Sequence, residues 1–159
     1  MKLKELIQLL LNITTLITIV VAIIIVARIA KRKGELTEAT GVSGRTYLIL
    51  VGVVEVCYTA GLLLILSAMG VNVLQHLQNL EFGKLVAAVD SVDLSNLKFA
   101  GTLGWVGLGI NSTTSFLAPG YLLVRGGKKL PRFIYISAWT EVGLEMIVIS
   151  LVFISLKFG

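Results

Sequence analysis

Residues 133–156 read FIYISAWTEVGLEMIVISLVFISL, an apolar run that carries two carboxylates, Glu141 and Glu145, in its middle. A spanning helix needs ~20 mostly apolar residues, and this run meets that length. Working outward, three further stretches qualify, at about 6–30, 46–69 and 98–124. The 159-residue chain is 56% hydrophobic and 14% charged, and its mean hydropathy is +0.92, well outside the range of soluble domains. These values predict an all-α integral membrane protein with four transmembrane helices, which leave no room for a separate soluble domain. The first stretch exceeds the ~7–15 residues of a signal h-region, and no small-residue cleavage site precedes Arg28, so it reads as a retained helix.

Charge sets the expected topology. Arg28, Lys31, Arg32, Lys33 and Arg45 bracket the first connection, and Arg125, Lys128, Lys129 and Arg132 bracket the third. The positive-inside rule places both connections in the cytoplasm and both termini outside the cell membrane. The net charge of +5 is thus explained by topology and by contact with lipid head groups, to which Arg28, Lys31, Arg32, Arg125, Lys128 and Lys129 are assigned. No nucleic-acid partner is expected. The long outer connection, residues 70–97, has Val73, Leu74, Leu77, Leu80, Leu85, Val86 and Val89 at spacings near three and four. That pattern predicts a short amphipathic surface helix between the second and third spans, broken near Gly83, with Asp93 or Ser95 capping the third span.

The chain carries one pattern twice. Asn12-Ile-Thr-Thr, a basic cluster, Tyr47 and Glu55-Val56 are matched in order by Asn111-Ser-Thr-Thr, a basic cluster, Phe133 and Glu141-Val142. The aromatic-to-carboxylate spacing is the same in both copies. Two tandem parallel hairpin repeats follow as an expectation, with residues 1–69 and 98–159 as the hairpins and 70–97 between them. In plan, two hairpins with basic turns and a Glu in each returning helix resemble the doubled proteolipids of rotary ATPase rings. The Gly- and Ala-rich helix faces of that family are missing from the first, second and fourth helices, so no residue role is carried over. The two Asn-x-Thr sequons lie in apolar runs, where a glycan has no room.

At 1.5 Å per residue, Glu55 lies ~12 Å beyond Tyr47 and Glu141 ~12 Å beyond Phe133, well inside a ~30 Å hydrocarbon core. Glu145 stacks one turn beyond Glu141. Asn111, ~21 Å back from Arg125, falls near the level of Glu145. Gly52, Glu55 and Thr59 form one stripe, Ser137, Glu141 and Glu145 another, and Gly104, Gly107, Asn111, Thr114 and Ala118 a third, which predicts that the three face one another. No Lys or Arg lies at matching depth, so these carboxyls must share protons, bind a cation, hydrogen-bond to Asn and Thr, or pair with a partner subunit. Pro119-Gly120 is expected to kink the third helix or end its regular part.

The expected function is proton or cation handling, as transport or coupling. Glu55 and Glu141 would be quasi-equivalent carriers, Glu145 a proton-sharing neighbour, and Asn111 and Thr59 orienting ligands. The alternative is a non-catalytic accessory subunit of a larger membrane complex, with a homo-oligomer or other membrane subunits as partners. Cys57 and His76 are the only residues of their kinds, so one chain can build neither a disulfide nor a bis-histidine haem site, and no cofactor is expected. No catalytic triad, metal cluster or nucleotide loop stands out, so the chain is read as not an enzyme.

Overall fold

The computed structural model describes residues 2–31, 40–91 and 101–158, and every regular element among them is helical. In chain order these are α1 (Leu3–Lys31), α2 (Gly44–Ala68), α3 (Val73–Gln78), α4 (Phe82–Ser91), α5 (Gly101–Thr114), α6 (Leu117–Arg125) and α7 (Arg132–Phe158), with a 3-10 turn at Gly127–Lys129. Among the described residues, α1, α2 and α7 are long and apolar enough to cross a membrane. Their outer faces are those of a protein that meets lipid. Leu16, Ile23, Val56 and Met146 are each at least 60% exposed, far more apolar surface than an aqueous monomer leaves open.

The third apolar stretch is two helices rather than one. α5 ends at Thr114 and α6 begins at Leu117, with Ser115-Phe116 as a turn between them. The cause is Pro119, which has no N–H to give to the carbonyl four residues back, that of Ser115, and whose ring crowds that carbonyl. Regular bonding resumes at once, with the Gly120 N–H donating to the Phe116 carbonyl at 2.8 Å. The expected kink is therefore a break one turn ahead of the proline.

α1 packs along α7, and α2 packs along α5 and then α6; α6 also packs on α7, while α1 and α2 touch each other sparsely. At the end that carries the basic turns, Ile25 and Ile29 of α1, Tyr47 of α2, Ala118 and Leu122 of α6, and Ile134 and Ala138 of α7 form one closed apolar core together with Val42 and Leu130. Local contacts secure this end. The Ser43 side chain caps α2 by accepting from the Thr46 N–H at 3.2 Å, and the Ser43 N–H donates to the Tyr121 hydroxyl at 3.2 Å. The Arg28 guanidinium lies 4.6 Å from the Phe133 ring centroid, joining the last turn of α1 to the first of α7. Such a contact contributes about 0.5–1 kcal/mol at an exposed site.

The short helices α3 and α4 follow α2 at the opposite end. α2 stops in a Schellman turn: the Val71 N–H donates to the Leu66 carbonyl, the Gly70 N–H to that of Ser67, and Gly70 takes φ +89. Asn72 caps α3 by accepting from the Gln75 N–H at 3.2 Å. The segment after α2 does break into two helices, but at Asn79–Glu81 and not at Gly83, which lies inside α4. A second Schellman turn makes the break, with the Glu81 N–H on the His76 carbonyl and Leu80 at φ 56 where glycine is usual. The positions expected to cap the third span, Asp93 and Ser95, lie outside the described residues, as does Arg32.

Glu81 ties this break together. Lys84 Nζ donates to its Oε1 at 2.8 Å, and His76 Nδ1 lies 2.9 Å from its Oε2. The hydrogen bonds from Lys84 and then His76 hold the Glu81 carboxyl below its ordinary value of 4.5. A carboxyl with a depressed folded-state pKa contributes stability that is present above the unfolded value and lost as the pH falls through the folded one. Backbone hydrogen exchange across residues 73–85, corrected for its intrinsic pH dependence, should thus stay slow at neutral pH and accelerate below about 4.5. Glu81→Gln should remove that acid-side acceleration; an unchanged profile in the variant would sink this account.

Candidate functional site

Beyond the closed core, away from the basic turns, the bundle has a partly open cavity of about 600 Å³ lined by α1, α2, α5 and α7. Its walls are mixed. α1 contributes Gln8, Asn12 and Thr15; α5 contributes Asn111 and Ser112, and the turn after it contributes Ser115. α2 adds Tyr58 and α7 adds Glu145, and aliphatic side chains such as Leu62, Ile65, Val148 and Val152 fill the rest. A polar lining between helices this apolar is unusual, because each uncompensated polar group in hydrocarbon costs free energy.

Local chain geometry builds the polar side. The Gln8 amide donates to the Asn12 side-chain oxygen at 3.0 Å, one turn along α1. The hydroxyls of α5 bond back onto their own helix: Thr114 Oγ1 to the Ile110 carbonyl at 2.6 Å, and Ser115 Oγ to the Asn111 carbonyl. Back-bonding of this kind bends helices, and it coincides with the break that Pro119 imposes. The break leaves Ser115 beside the Glu145 carboxyl. α2 and α5 meet where both lack side chains. A Cβ added at Gly107 would lie 2.6 Å from the Gly61 carbonyl oxygen, and one added at Gly61 would lie 2.8 Å from that of Gly107. This approach presses Asn111, one turn on from Gly107, against Gly61.

Two polar atoms at the site are buried without a protein partner, Asn111 Oδ1 and Glu141 Oε2. Glu141 is only 7% exposed and stands one turn from Glu145 on one side and next to the closed core, through Ala138, on the other. A buried carboxyl oxygen with no donor is a high-energy arrangement unless the group carries a proton or meets a ligand, an ion or water. Chemically, the site sets the Glu145 carboxyl among amides and hydroxyls, with the Glu141 carboxyl one turn back along α7.

The sequence-predicted residues divide. Glu145 and Asn111 meet at the cavity, and Glu141 lies one turn behind it. Glu55 and Thr59 do not join them: both are on an exposed face of α2. Glu55 still stands one turn from Tyr58, whose ring lines the cavity. Arg28, Lys31, Arg125, Lys128 and Lys129 are all exposed at the basic end. Gln8, Asn12, Thr15, Ser112, Ser115 and Tyr58 were not singled out as site residues. The signal for three of them was in the doubled Asn-x-Thr-Thr pattern, since Asn12 and Thr15 from one copy and Ser112, beside the predicted Asn111, from the other share one cavity. Among the described residues, no cluster of three or more His, Cys, Asp or Glu side chains could hold a metal ion.

Fold and site together define a helical protein suited to a bilayer, with three helices able to span it and a cavity of mixed polar and apolar lining between helices. The chain matches no protein family, no curated protein and no solved structure.

Proposed function

We propose that this chain is a polytopic membrane protein that handles protons or cations through intramembrane carboxylates. The observation that carries the reading is the pair Glu145 and Glu141: one carboxyl on the wall of a polar cavity, the other buried a turn away with an unpartnered oxygen. Ionisable residues inside a membrane are costly and mark ion or proton paths. Two such groups a turn apart perturb each other and can share a proton. Asn111 and Ser115 flank the site, and Asn111 Oδ1, pressed against Gly61, has no protein partner.

The proposed topology has four crossings, with the interrupted pair α5–α6 as the third. Irregular backbone is tolerated at membrane depth where it lines a cavity, as Ser115 does. Both basic turns face the cytoplasm and both termini lie outside, in keeping with the positive-inside rule. The helix pairing supports a parallel duplication: exchanging the two hairpins about an axis along the membrane normal carries the α1–α7 pair onto the α5–α2 pair.

The test is flux. Purified protein in liposomes under an imposed pH or cation gradient should conduct, and Glu145→Gln should reduce the flux to that of empty vesicles. Conduction that survives Glu145→Gln in a folded protein would overturn the assignment. A second reading, an accessory subunit of a membrane complex, is favoured by one observation: Glu55, Val56 and Thr59 are all exposed on α2. A carboxylate facing hydrocarbon calls for a partner there, either another membrane subunit or a second copy of this chain. Stoichiometric co-purification from native membranes, lost in Glu55→Ala, would support that reading.

A further inference from the structure

The cavity is larger than a bare ion needs. A dehydrated metal cation is held by oxygens that converge on it at ~2.0–2.6 Å, whereas the Gln8, Asn12, Asn111 and Glu145 side chains are spread over three helices around a space of about 600 Å³. It does fall within the ~300–1,000 Å³ typical of sites for small organic molecules. Its charge is equally selective. Glu145 is its acid, and among the described residues no Lys, Arg or His lines it. Around that carboxyl lie amides and hydroxyls; away from it the wall is aliphatic, with Leu62, Leu108, Ile149 and Val152, and aromatic, with Phe153 and Tyr58.

We propose that the cavity binds a monovalent organic cation with an apolar body, its charge against Glu145 and its hydrocarbon against the aliphatic and aromatic wall. This rests on the carboxylate reading above and names the ligand class of that site. Anions are excluded by the carboxyl, and dications would meet one acid at the wall where they need two. Tyr58 and Phe153, both on the wall, supply aromatic rings with which such a cation could make cation–π contacts.

Binding is coupled to a proton. Where Glu145 carries a proton before the ligand arrives, that proton leaves to solvent as the cation takes its place, and the charge of the site is unchanged. Tyr58 is the other titratable group on the wall; Glu55 on α2 and Glu141 on α7 stand a turn away from these two, and α1 and α5 present only amides and hydroxyls. Proton release on binding, at most one per cation, therefore belongs to Glu145 or to the pair it forms with Glu141.

The experiment uses the full chain in phosphatidylcholine nanodiscs and radiolabelled benzyltrimethylammonium as probe. Neopentylbenzene, which has the same shape with carbon in place of the charged nitrogen, serves as competitor, and sodium as a second competitor. Saturable binding is expected in the wild type, weakened by about tenfold or more in Glu145→Gln, with neither competitor displacing the probe. Leu62→Trp, which narrows the cavity and leaves the carboxyl in place, should also weaken binding, so a folding defect in one variant does not decide the outcome. Displacement by neopentylbenzene as effective as by unlabelled probe would overturn the charge requirement. Displacement by millimolar sodium would assign the site to inorganic cations instead. Absence of binding, with proton flux that Glu145→Gln still abolishes, would reject the organic cation and leave the proton reading standing; absence of both would reject both.

Discussion

Leucine at Gly107 is expected to destabilise the protein by about 3 kcal/mol or more, whereas leucine at Gly109, on the same helix, is expected to be nearly silent. The difference is purely one of packing. A Cβ at Gly107 would lie 2.6 Å from the Gly61 backbone oxygen, 2.9 Å from Ile65 Cγ1 and 3.1 Å from Leu64 Cβ; one at Gly109 meets nothing within 4 Å. The nearest atom at Gly107 is backbone, so relief requires moving α2 away from α5. In hydrocarbon no hydrophobic force draws the helices back together, because lipid tails are as apolar as leucine; close backbone approach is itself the source of attraction. Separation of α2 from α5 would also withdraw Asn111 from the cavity wall. Unfolding in mixed micelles, followed by Trp105 and Trp139 fluorescence, should show the loss for Gly107→Leu and not for Gly109→Leu. Equal stabilities would mean that this pair of glycines is not the contact that holds the two helices.

The same contact explains what the sequence could and could not disclose. Helical segments were legible because apolar runs of that length admit no other regular structure in a bilayer. The inward stripe on the third apolar stretch was legible too, since Gly107 and Asn111 do turn toward α2. On α2 itself, polarity pointed to the wrong face. Gly52, Glu55 and Thr59 form its most polar stripe, yet the residues turned inward are Tyr47, Gly61 and Ile65. In water, the apolar face is the buried one and polarity reveals it; in lipid, shape decides, and Gly61 opposite Gly107 outweighs the polar stripe. The doubled pattern carried the same ambiguity. Glu55 and Glu141 match in sequence, but one is exposed and the other buried, because α2 and α7 present different faces to the bundle. The cavity was hidden for a further reason: Tyr58, Ser112 and Ser115 reach it only because four helices meet there and Pro119 breaks one of them.

Glu141→Gln is expected to fold normally and to abolish proton flux, and Glu141→Leu is expected to do the same. Glutamine has nearly the shape of a protonated glutamate and can still donate a hydrogen bond, so if Glu141 merely fastened helices, Gln would retain function and Leu would lose stability. The geometry argues for the other outcome. Glu141 Oε2 has no partner, so there is no fastening bond at that atom for Leu to break. Replacing a buried, unsatisfied polar group by an apolar one of similar size is neutral or stabilising. What neither Gln nor Leu can do is accept and release a proton between Glu145 at the cavity and the closed core that begins at Ala138 and Ile134. Glu141→Asp, which keeps the titrating group on a shorter arm, should retain part of the flux. The ordering wild type, then Asp, then Gln and Leu together at background, with all four proteins equally resistant to unfolding, is the signature of a relay. Full flux in Glu141→Gln would reduce Glu141 to a packing residue and leave Glu145 to act alone.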